Sequence, residues 1–226
     1  AVADKPGRLV SEDCLPVILG DPQPFSSRGG FKLEHALKQF DILPVGKTVV
    51  DVGASTGGFT DCLLQNGAEK VYAVDVGYGQ LDWKLRNDPR VICRDRKNAR
   101  TLSKEDIGET LDLAVIDVSF ISLQLVIPPL LKILKPEGQL VALVKPQFEV
   151  GKNDMEHRGI IKDPAKHIAV LLKLNRFIEE KEWSVINATE SPITGQKGNR
   201  EFLIHCVDNR YGKPVEENTL RKIVRN

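Results

Sequence analysis

Apolar and polar residues alternate along most of the chain in blocks that predict helices and strands in turn. From Phe31 to Phe40 the apolar residues fall at positions 31, 33, 36, 37 and 40, the spacing of one helical face, and Pro44 and Gly46 then end this helix. Short Val-, Ile- and Leu-rich runs follow, separated by amphipathic segments. The predicted strands are Thr48–Gly53, Lys70–Val76, Val91–Cys93, Leu111–Val118 and Gln139–Val144, and the helices between them are Gly58–Asn66, Gln80–Arg86 and Leu123–Leu134.

The pattern then predicts a long helix, Pro164–Lys181, and two strands, Ser184–Glu190 and Arg200–Val207. The two strands are close in sequence, so we expect an antiparallel pair at one edge of the sheet. Alternating strands and helices are typical of a parallel sheet with helices on both faces. The sequence therefore predicts an α/β fold with a mostly parallel, seven-stranded sheet and an antiparallel edge strand. The segment Gly151–Lys162 shows no periodicity and is interpreted as a loop, either a substrate contact or a plain surface connection.

A glycine-rich turn follows the first predicted strand, in the segment VVDVGASTGGF at residues 49–59. Glycine lets the backbone approach a ligand closely, and the next helix offers its free N–H groups there. A dinucleotide fingerprint has glycine at its first, third and sixth positions, but Ser55 occupies the third position here, which disfavours NAD. The turn therefore predicts a cradle for a different cofactor. The cradle residues are Asp51, Gly53, Ser55, Gly57, Gly58 and Phe59.

Two more acidic residues follow the second and third predicted strands. Asp75 comes about 20 residues after the turn, where an acid accepts both ribose hydroxyls of an adenosine. Its alternative role is a helix cap or a solvated loop acid. Asp95 is placed to accept from the adenine amino group, or instead to form an ion pair with Arg94 or Arg96.

Four charged residues have positions that favour catalysis. Asp117 and Lys145 lie at the carboxyl ends of neighbouring strands, the edge where open α/β sheets place their sites. Glu201 lies near the start of the last strand, and an antiparallel direction would bring that start to the same edge. Lys32 lies on the helix before the sheet. One lysine at a strand end is usually a surface residue, so the prediction depends on all four together.

Five segments of the chain together resemble a known family: SRGGFKLEHAL, DVGASTGGFTDCLL, DVSFISL, LVKPQFEVG and SPITGQKGNREFLIH. They are similar to the TlyA/hemolysin-like family of FtsJ-type RNA 2′-O-methyltransferases, over about residues 27–207. The resemblance implies a Rossmann-like class I fold and S-adenosylmethionine (SAM) as cofactor. It also implies a cytidine 2′-hydroxyl of ribosomal RNA as acceptor, in free RNA or in ribosomal subunits. The family's Lys-Asp-Lys-Glu tetrad corresponds to Lys32, Asp117, Lys145 and Glu201.

Elementary chemistry agrees with this resemblance. SAM already carries a sulfonium leaving group, so the protein must mainly align the acceptor hydroxyl and remove its proton. A ribose hydroxyl is a weak acid, so we expect its base to be a neutral amine, that of Lys145. Asp117 would orient Lys145 and also lie near the methyl donor as a cofactor-binding residue. Glu201 would fix the lysine amines or the ribose, and Lys32 would stabilise negative charge. Ser119, Phe120 and Ser122 are candidates for the acceptor pocket, with a core position as the alternative for Phe120.

The family usually carries an N-terminal S4 RNA-binding domain, and residues 1–20 resemble the last strands of one. We therefore expect three parts: residues 1–26 as an S4 remnant plus linker, residues 27–210 as the methyltransferase domain, and residues 211–226 as a C-terminal tail.

Composition narrows the class of protein. Of 226 residues, 41% are hydrophobic and 28% are charged, which is typical of a globular protein. The formal net charge of +1 predicts no polyanion binding, but residues 84–104 contain eight basic and two acidic residues, a candidate RNA surface or a solvated, ion-paired one. Lys152, Arg158, Lys162, Lys197 and Arg200 are candidates to extend it. The four cysteines form no CxxC pair and the four histidines show no metal-ligand spacing, which favours reduced thiols in the cytoplasm and no metal site.

Three alternatives to RNA methylation remain at this point. A membrane-acting hemolysin needs an apolar span or a long amphipathic helix, but Pro128 and Pro129 interrupt the Leu123–Leu134 candidate, so we expect no stable membrane association. A protein that binds SAM or RNA without catalysis is disfavoured by the complete tetrad. Methylation of a small molecule or a protein is compatible with the glycine-rich turn alone.

Overall fold

The computed structural model describes Asp13, residues 23–151 and residues 159–225. The S4-like segment at residues 1–20, except Asp13, lies outside these residues, as do Lys152 and Arg158 of the predicted loop. The strands are β1 Thr48–Val52, β2 Lys70–Val74, β3 Val91–Arg94, β4 Leu111–Ile116, β5 Leu134–Val144, β6 Trp183–Glu190 and β7 Phe202–Asp208. The helices are α1 Gly29–Gln39, α2 Gly58–Gln65, α3 Trp83–Arg86, α4 Lys104–Ile107, α5 Leu123–Leu131, α6 Pro146–Glu149, α7 Pro164–Glu179 and α8 Glu217–Arg225, and a 3₁₀ turn spans Ala99–Thr101.

The seven strands form one sheet in the order β3-β2-β1-β4-β5-β7-β6. Neighbours from β3 to β5 pair in parallel, while β7 pairs antiparallel with both β5 and β6. The mostly parallel, seven-stranded sheet and the antiparallel pair at one edge, β6 with β7, are therefore confirmed. Within that pair the strand that runs against all its neighbours is β7, one place inside the edge. The reason is burial: β7 is buried from Phe202 to Val207, whereas β6 is only half-buried from Ile186 onward and is better suited to the edge.

Side chains alternate between the two faces of the sheet, and helices cover both. On one face Val50 and Val52 of β1 pack in a core that includes residues of α5, α7 and α8. On the other face Val49 packs in a core built with α1, α2 and Leu85 of α3. The sheet is thus the middle of three layers, as the alternating pattern predicts.

Several element boundaries differ from the prediction. Helix α5 ends at Leu131 rather than Leu134, and β5 begins at Leu134 rather than Gln139. Leu134 pairs with Leu111 and Gln139 pairs with Leu113, so β5 is irregular between Leu134 and Gln139. Because of this irregular segment, the sequence pattern does not show that the strand already begins at Leu134. The short helices α4 and α6 were not predicted. The segment interpreted as a C-terminal tail contains α8, whose Leu220 and Val224 are buried.

Strands β1 and β4 lie side by side, although they are not consecutive in the chain. The strand order reverses between them, and the crevice at their carboxyl ends is the usual ligand site of such sheets. The backbone N–H of Asp117 donates to the carbonyl of Val52 (2.9 Å) across this crevice. Gly53 must be glycine here: its φ is +86°, and an added Cβ would lie 2.3 Å from the carbonyl oxygen of Asp117.

Candidate active site

The glycine-rich turn passes from β1 into α2, and its glycines lie where neighbouring groups leave no room for a side chain. Gly57 precedes α2 with φ of +97°, and an added Cβ there would lie 2.3 Å from Cδ1 of Leu85. An added Cβ on Gly58 would lie 2.2 Å from Oγ of Ser27, so this glycine lets the segment before α1 approach the start of α2. Ser55 also has positive φ, +49°. The positive φ angles and the close neighbours therefore restrict the backbone of the turn to one conformation. In that conformation, backbone groups of the turn are available to bind a ligand.

Asp51 is fully buried at the end of β1. Its Oδ2 accepts from the Thr60 hydroxyl (2.7 Å), while its Oδ1 has no hydrogen-bond partner among the described residues. Burial raises the pKa of the Asp51 carboxyl to about 7, and the nearby carboxylates of Asp117 and Asp75 also raise it. A cationic ligand in this crevice would offset the cost of the buried charge.

We expect replacing Asp51 by Asn to remove a pH dependence of stability. Because the folded pKa of Asp51 is about 7 and its ordinary value is 3.8, the folded state alone holds this proton between those values. The free energy of unfolding of the wild type should therefore fall, relative to Asp51→Asn, as the pH rises from about 4 to about 7, and level off above. Urea unfolding of both proteins at several pH values measures this difference. Parallel curves for the two proteins would contradict the buried proton.

Asp75 and Asp95 hold the loops beside the turn. The Asp75 carboxylate accepts from the backbone N–H of Ser55 (2.8 Å) and of Gly77 (2.7 Å), so it joins the turn to the loop after β2. Asp95 forms an ion pair with Arg86 (2.9 Å), not with either neighbouring arginine considered above. Phe59, the remaining side chain of the predicted cradle, is buried in the core against α1, which leaves only its backbone for a ligand.

Lys145 follows β5 directly and lies against the end of β4. Its Nζ is 2.6 Å from Oδ1 of Asp117 and donates to Oγ of Ser119 (2.9 Å). The Lys145 side chain is only 12% exposed, so this ammonium depends on these two partners more than on water. The structure therefore brings together the base and orienting carboxylate that the sequence predicts.

Lys32 and Glu201 form a second, more deeply buried pair. Nζ of Lys32 is 2.6 Å from Oε2 of Glu201, with 11% and 3% of the two side chains exposed. The backbone near Gly195 encloses the other carboxylate oxygen, since an added Cβ on Gly195 would lie 2.5 Å from Oε1 of Glu201. Residues 169 positions apart in sequence thus form one ion pair in the core.

Strand register places the two pairs at one edge of the sheet. Val144 pairs with Phe202, so Lys145 leaves β5 where Glu201 enters the antiparallel β7. Val52 pairs with Ile116, so the glycine-rich turn and Asp117 begin at the same level on β1 and β4. An added Cβ on Gly29 would lie 3.8 Å from Oδ2 of Asp117, which places the start of α1 beside this carboxylate. All four predicted tetrad residues therefore lie at the carboxyl edge with the cradle.

Two contacts of the site were not predicted from the sequence, and the two alternatives for Phe120 are now decided. Ser119 binds the Lys145 amine directly, and Glu149 is buried with hydrogen bonds into the loop after β4. Phe120 is 91% exposed with φ of +63°, which excludes the core alternative for this side chain. The only sequence signal for these contacts was that DVSFISL and LVKPQFEVG lie at the ends of neighbouring strands. This signal does not say which side chains pair.

Comparisons with known proteins agree with this geometry. The family model described as FtsJ-like methyltransferase matches residues 25–207. The 16S/23S rRNA (cytidine-2′-O)-methyltransferase TlyA of Mycobacterium tuberculosis is 45% identical over 89% of this chain and 76% of that protein. Hemolysin A of Brachyspira hyodysenteriae is 44% identical over 81% of this chain and 77% of that protein. A solved structure from Streptococcus thermophilus, provisionally named a hemolysin, has a TM-score of 0.87 at 44% identity, covering 92% of this chain and 75% of that chain.

The sheet order, the inserted antiparallel β7 and the glycine-rich turn at the β1–β4 crevice are those of a SAM-dependent methyltransferase. The unpaired buried oxygen of Asp51 and the acid after β2 suit this cationic adenosine derivative. Since the family match covers most of the chain, the protein belongs to the FtsJ-like methyltransferase family. Among the described residues, every helix is too short or too polar to cross a membrane.

Proposed function

We propose that this protein transfers the methyl group of SAM to the 2′-hydroxyl of a cytidine in ribosomal RNA. The observation that carries the proposal is the Lys145–Asp117 contact at the cofactor edge, with the buried Lys32–Glu201 pair at the start of the adjoining strand. The name of the Mycobacterium tuberculosis relative, a 16S/23S rRNA (cytidine-2′-O)-methyltransferase, supports cytidine and ribosomal RNA as the acceptor. Such a substrate places the reaction in the cytoplasm, with free RNA or a ribosomal subunit as partner.

The contacts of Lys145 suit the removal of a proton from a hydroxyl. An ammonium has three donors, of which one goes to Ser119, and Oδ1 of Asp117 lies 2.6 Å from Nζ as the ion-pair partner. Once the amine is neutral, its lone pair can take a direction that neither partner occupies and accept the acceptor's 2′-hydroxyl proton. Bound SAM supplies an activated methyl group on a sulfonium. During transfer of that methyl group, Nζ of Lys145 would take the proton of the 2′-hydroxyl, and S-adenosylhomocysteine would be the product.

The buried Lys32–Glu201 pair supports the Lys145–Asp117 pair but takes no part in the proton transfer. Glu201 neutralises the Lys32 ammonium, and α1 and β7 together keep this pair away from water. The Lys32 ammonium also has N–H donors that Glu201 does not use, and such donors at this edge can stabilise negative charge that develops on the ribose oxygen. We infer that Lys32 and Glu201 position the ribose and stabilise charge, while Lys145 alone transfers the proton.

The candidate RNA surface at residues 84–104 is smaller than the sequence suggests. Ion pairs inside the protein already use Arg86, Arg90 and Lys97. Within the described part of the chain, Lys84, Arg100 and Lys104 have no such partner and remain candidates for phosphate contacts. Arg200, considered above as an extension of the surface, binds Glu190 and the carbonyl of Val224 instead.

Replacing Phe120 by Ala should weaken use of RNA while leaving SAM binding intact. The exposed ring lies 4.9 Å from that of Phe148, and its positive φ presents it on the loop that follows Asp117. Stacking of a base on such a ring contributes about 1–3 kcal/mol, so kcat/KM for RNA should fall roughly 10- to 100-fold. Tyr211→Ala is the matched control, since that half-exposed ring follows β7 at the opposite edge of the sheet. Equal losses in the two variants would contradict a role for Phe120 in acceptor binding.

Methyl-labelled SAM tests the proposed function directly. The protein is incubated with unmodified ribosomal RNA and with isolated ribosomal subunits, and the labelled RNA is mapped by alkaline hydrolysis. We expect label at a cytidine, and one linkage that resists hydrolysis because its 2′-oxygen is methylated. Label on a base, or no transfer to either RNA form despite measurable SAM binding, would overturn the proposal.

A further inference from the structure

The loop after β4 and the short helix after β5 are fastened together by a buried carboxylate with no assigned role. Glu149, the last residue of α6, is 6% exposed. Its Oε2 accepts from the Ser122 hydroxyl (2.6 Å), and its Oε1 accepts from the backbone N–H of Leu123 (2.7 Å), the first residue of α5. Burial raises the pKa of the Glu149 carboxyl, so its ionised form depends on these two donors.

The residues on both sides of this link belong to the active site. Asp117, Ser119 and Phe120 precede Ser122 on one segment, and Lys145 and Phe148 precede Glu149 on the other. The same two segments meet again where Ser119 accepts from Lys145 and where the rings of Phe120 and Phe148 pack together. These contacts form a series between the two segments, with the buried Glu149 hydrogen bonds at one end and the Lys145 amine at the other end.

We propose that Glu149 is a positioning residue that holds Ser119 and Phe120 in register with the Lys145 amine. This inference rests on the proposed function, which it extends to a residue that touches neither SAM nor the acceptor. The fixed N-terminus of α5 sets where the loop from Asp117 to Ser122 ends, and α6 begins one residue after Lys145. Without the carboxylate, the backbone N–H of Leu123 loses its partner and the two segments separate.

Three variants test the proposal. Glu149→Ala removes both hydrogen bonds. Glu149→Gln keeps an oxygen for the Leu123 N–H, and its amide can donate to Ser122, whose hydroxyl oxygen has two lone pairs. Asp112→Ala is the matched control, because this carboxylate also holds a backbone N–H, that of Thr48 (2.9 Å), and one side chain, Lys135, but at the start of β4.

The first readout is methyl transfer to ribosomal RNA at saturating SAM. Displacing a positioned group by about 1 Å costs on the order of 100-fold, so kcat of Glu149→Ala should fall by that order while the SAM dissociation constant stays near that of the wild type. Glu149→Gln should restore most of kcat, and Asp112→Ala should not lower it. Wild-type kcat in Glu149→Ala, or an equal loss in Glu149→Gln, would overturn the proposal.

The second readout needs no RNA. Trace labelling with acetic anhydride, followed by peptide mass analysis, measures how reactive the Lys145 amine is in the folded protein. Lys145 should acetylate faster in Glu149→Ala, since it loses its contact with Ser119, and at the wild-type rate in Glu149→Gln. In Asp112→Ala only Lys135 should become more reactive. Unchanged Lys145 reactivity in Glu149→Ala would overturn the proposal even if kcat falls.

These readouts separate failure of this inference from failure of the proposed function. If the wild type transfers no methyl group to RNA, the proposed function fails, while Lys145 labelling still decides whether Glu149 positions that amine. If Glu149→Ala does not fold, Ser122→Ala removes one of the two hydrogen bonds from the opposite side. It should then raise Lys145 reactivity in the same direction, and no change would overturn the positioning role.

Discussion

Replacing Lys145 by Ala should reduce methyl transfer by about 10²- to 10⁴-fold, the range that a positioned general base contributes. The variant removes the only amine that contacts both Asp117 and Ser119 in the described residues. The glycine-rich turn, Asp51 and Asp75 are left intact, so the SAM dissociation constant should change little. Single-turnover methyl transfer and calorimetric titration with SAM measure the two quantities.

Two further lysine variants show whether proton transfer or charge is responsible. Lys145→Arg keeps a cation beside Asp117, but a guanidinium does not become neutral in proteins, so it should be nearly as inactive as Lys145→Ala. Lys135→Ala breaks a similar pair, Lys135–Asp112 (2.6 Å), away from the active site, and should keep full activity. Substantial turnover in Lys145→Arg would show that Lys145 acts through its charge and not as the base.

The succession of strands along the chain and the edge that carries the site could be predicted from the sequence because both depend on local patterns, whereas the order of the strands within the sheet was not predicted. Apolar runs such as residues 111–116 are too short for helices and end in polar residues, and the carboxyl ends of parallel strands share one edge. The positions of Asp117 and Lys145 follow from these two facts. The glycines at 53 and 57 are equally local, since each has positive φ in a tight turn.

Side-chain partners could not be predicted because they depend on register and on rotamers. Asp95 pairs with Arg86, nine residues away, rather than with either adjacent arginine, because the loop after β3 faces α3. The backbone N–H that binds Glu149 lies 26 residues earlier, at the start of α5. A sequence pattern places such residues near a strand end but gives no partner, so the sequence offered Ser119 only as an acceptor-pocket candidate and gave Glu149 no role.

The packing of the C-terminal helix, α8, could likewise not be predicted from the sequence. Residues 217–225 are rich in charge, which favours a tail, yet two aliphatic side chains of α8 are buried in the core. Arg200 donates to the carbonyl of Val224 and also binds Glu190 on β6. Because Arg200 immediately precedes Glu201, α8 supports the segment that carries the catalytic edge.

Replacing Glu201 by Ala should have the largest effect on stability, lowering the free energy of unfolding by about 3–5 kcal/mol. The variant leaves the ammonium of Lys32, whose side chain is 11% exposed, without its carboxylate. Glu34→Ala is the matched control, because Glu34 lies on α1, the helix that also carries Lys32. It breaks an exposed i,i+4 pair with Lys38, worth about 0.3–0.5 kcal/mol. Urea unfolding followed by circular dichroism measures both changes.

A double variant separates the stability of this pair from its role in the reaction. Lys32→Met with Glu201→Leu removes both buried charges, and replacing a buried ion pair by apolar side chains of similar volume is often neutral or stabilising. We therefore expect the double variant to regain the stability lost in Glu201→Ala but to show no methyl transfer. A stable double variant that still methylated RNA would show that the pair only holds α1 against β7, and would leave Asp117 and Lys145 as the whole catalytic group.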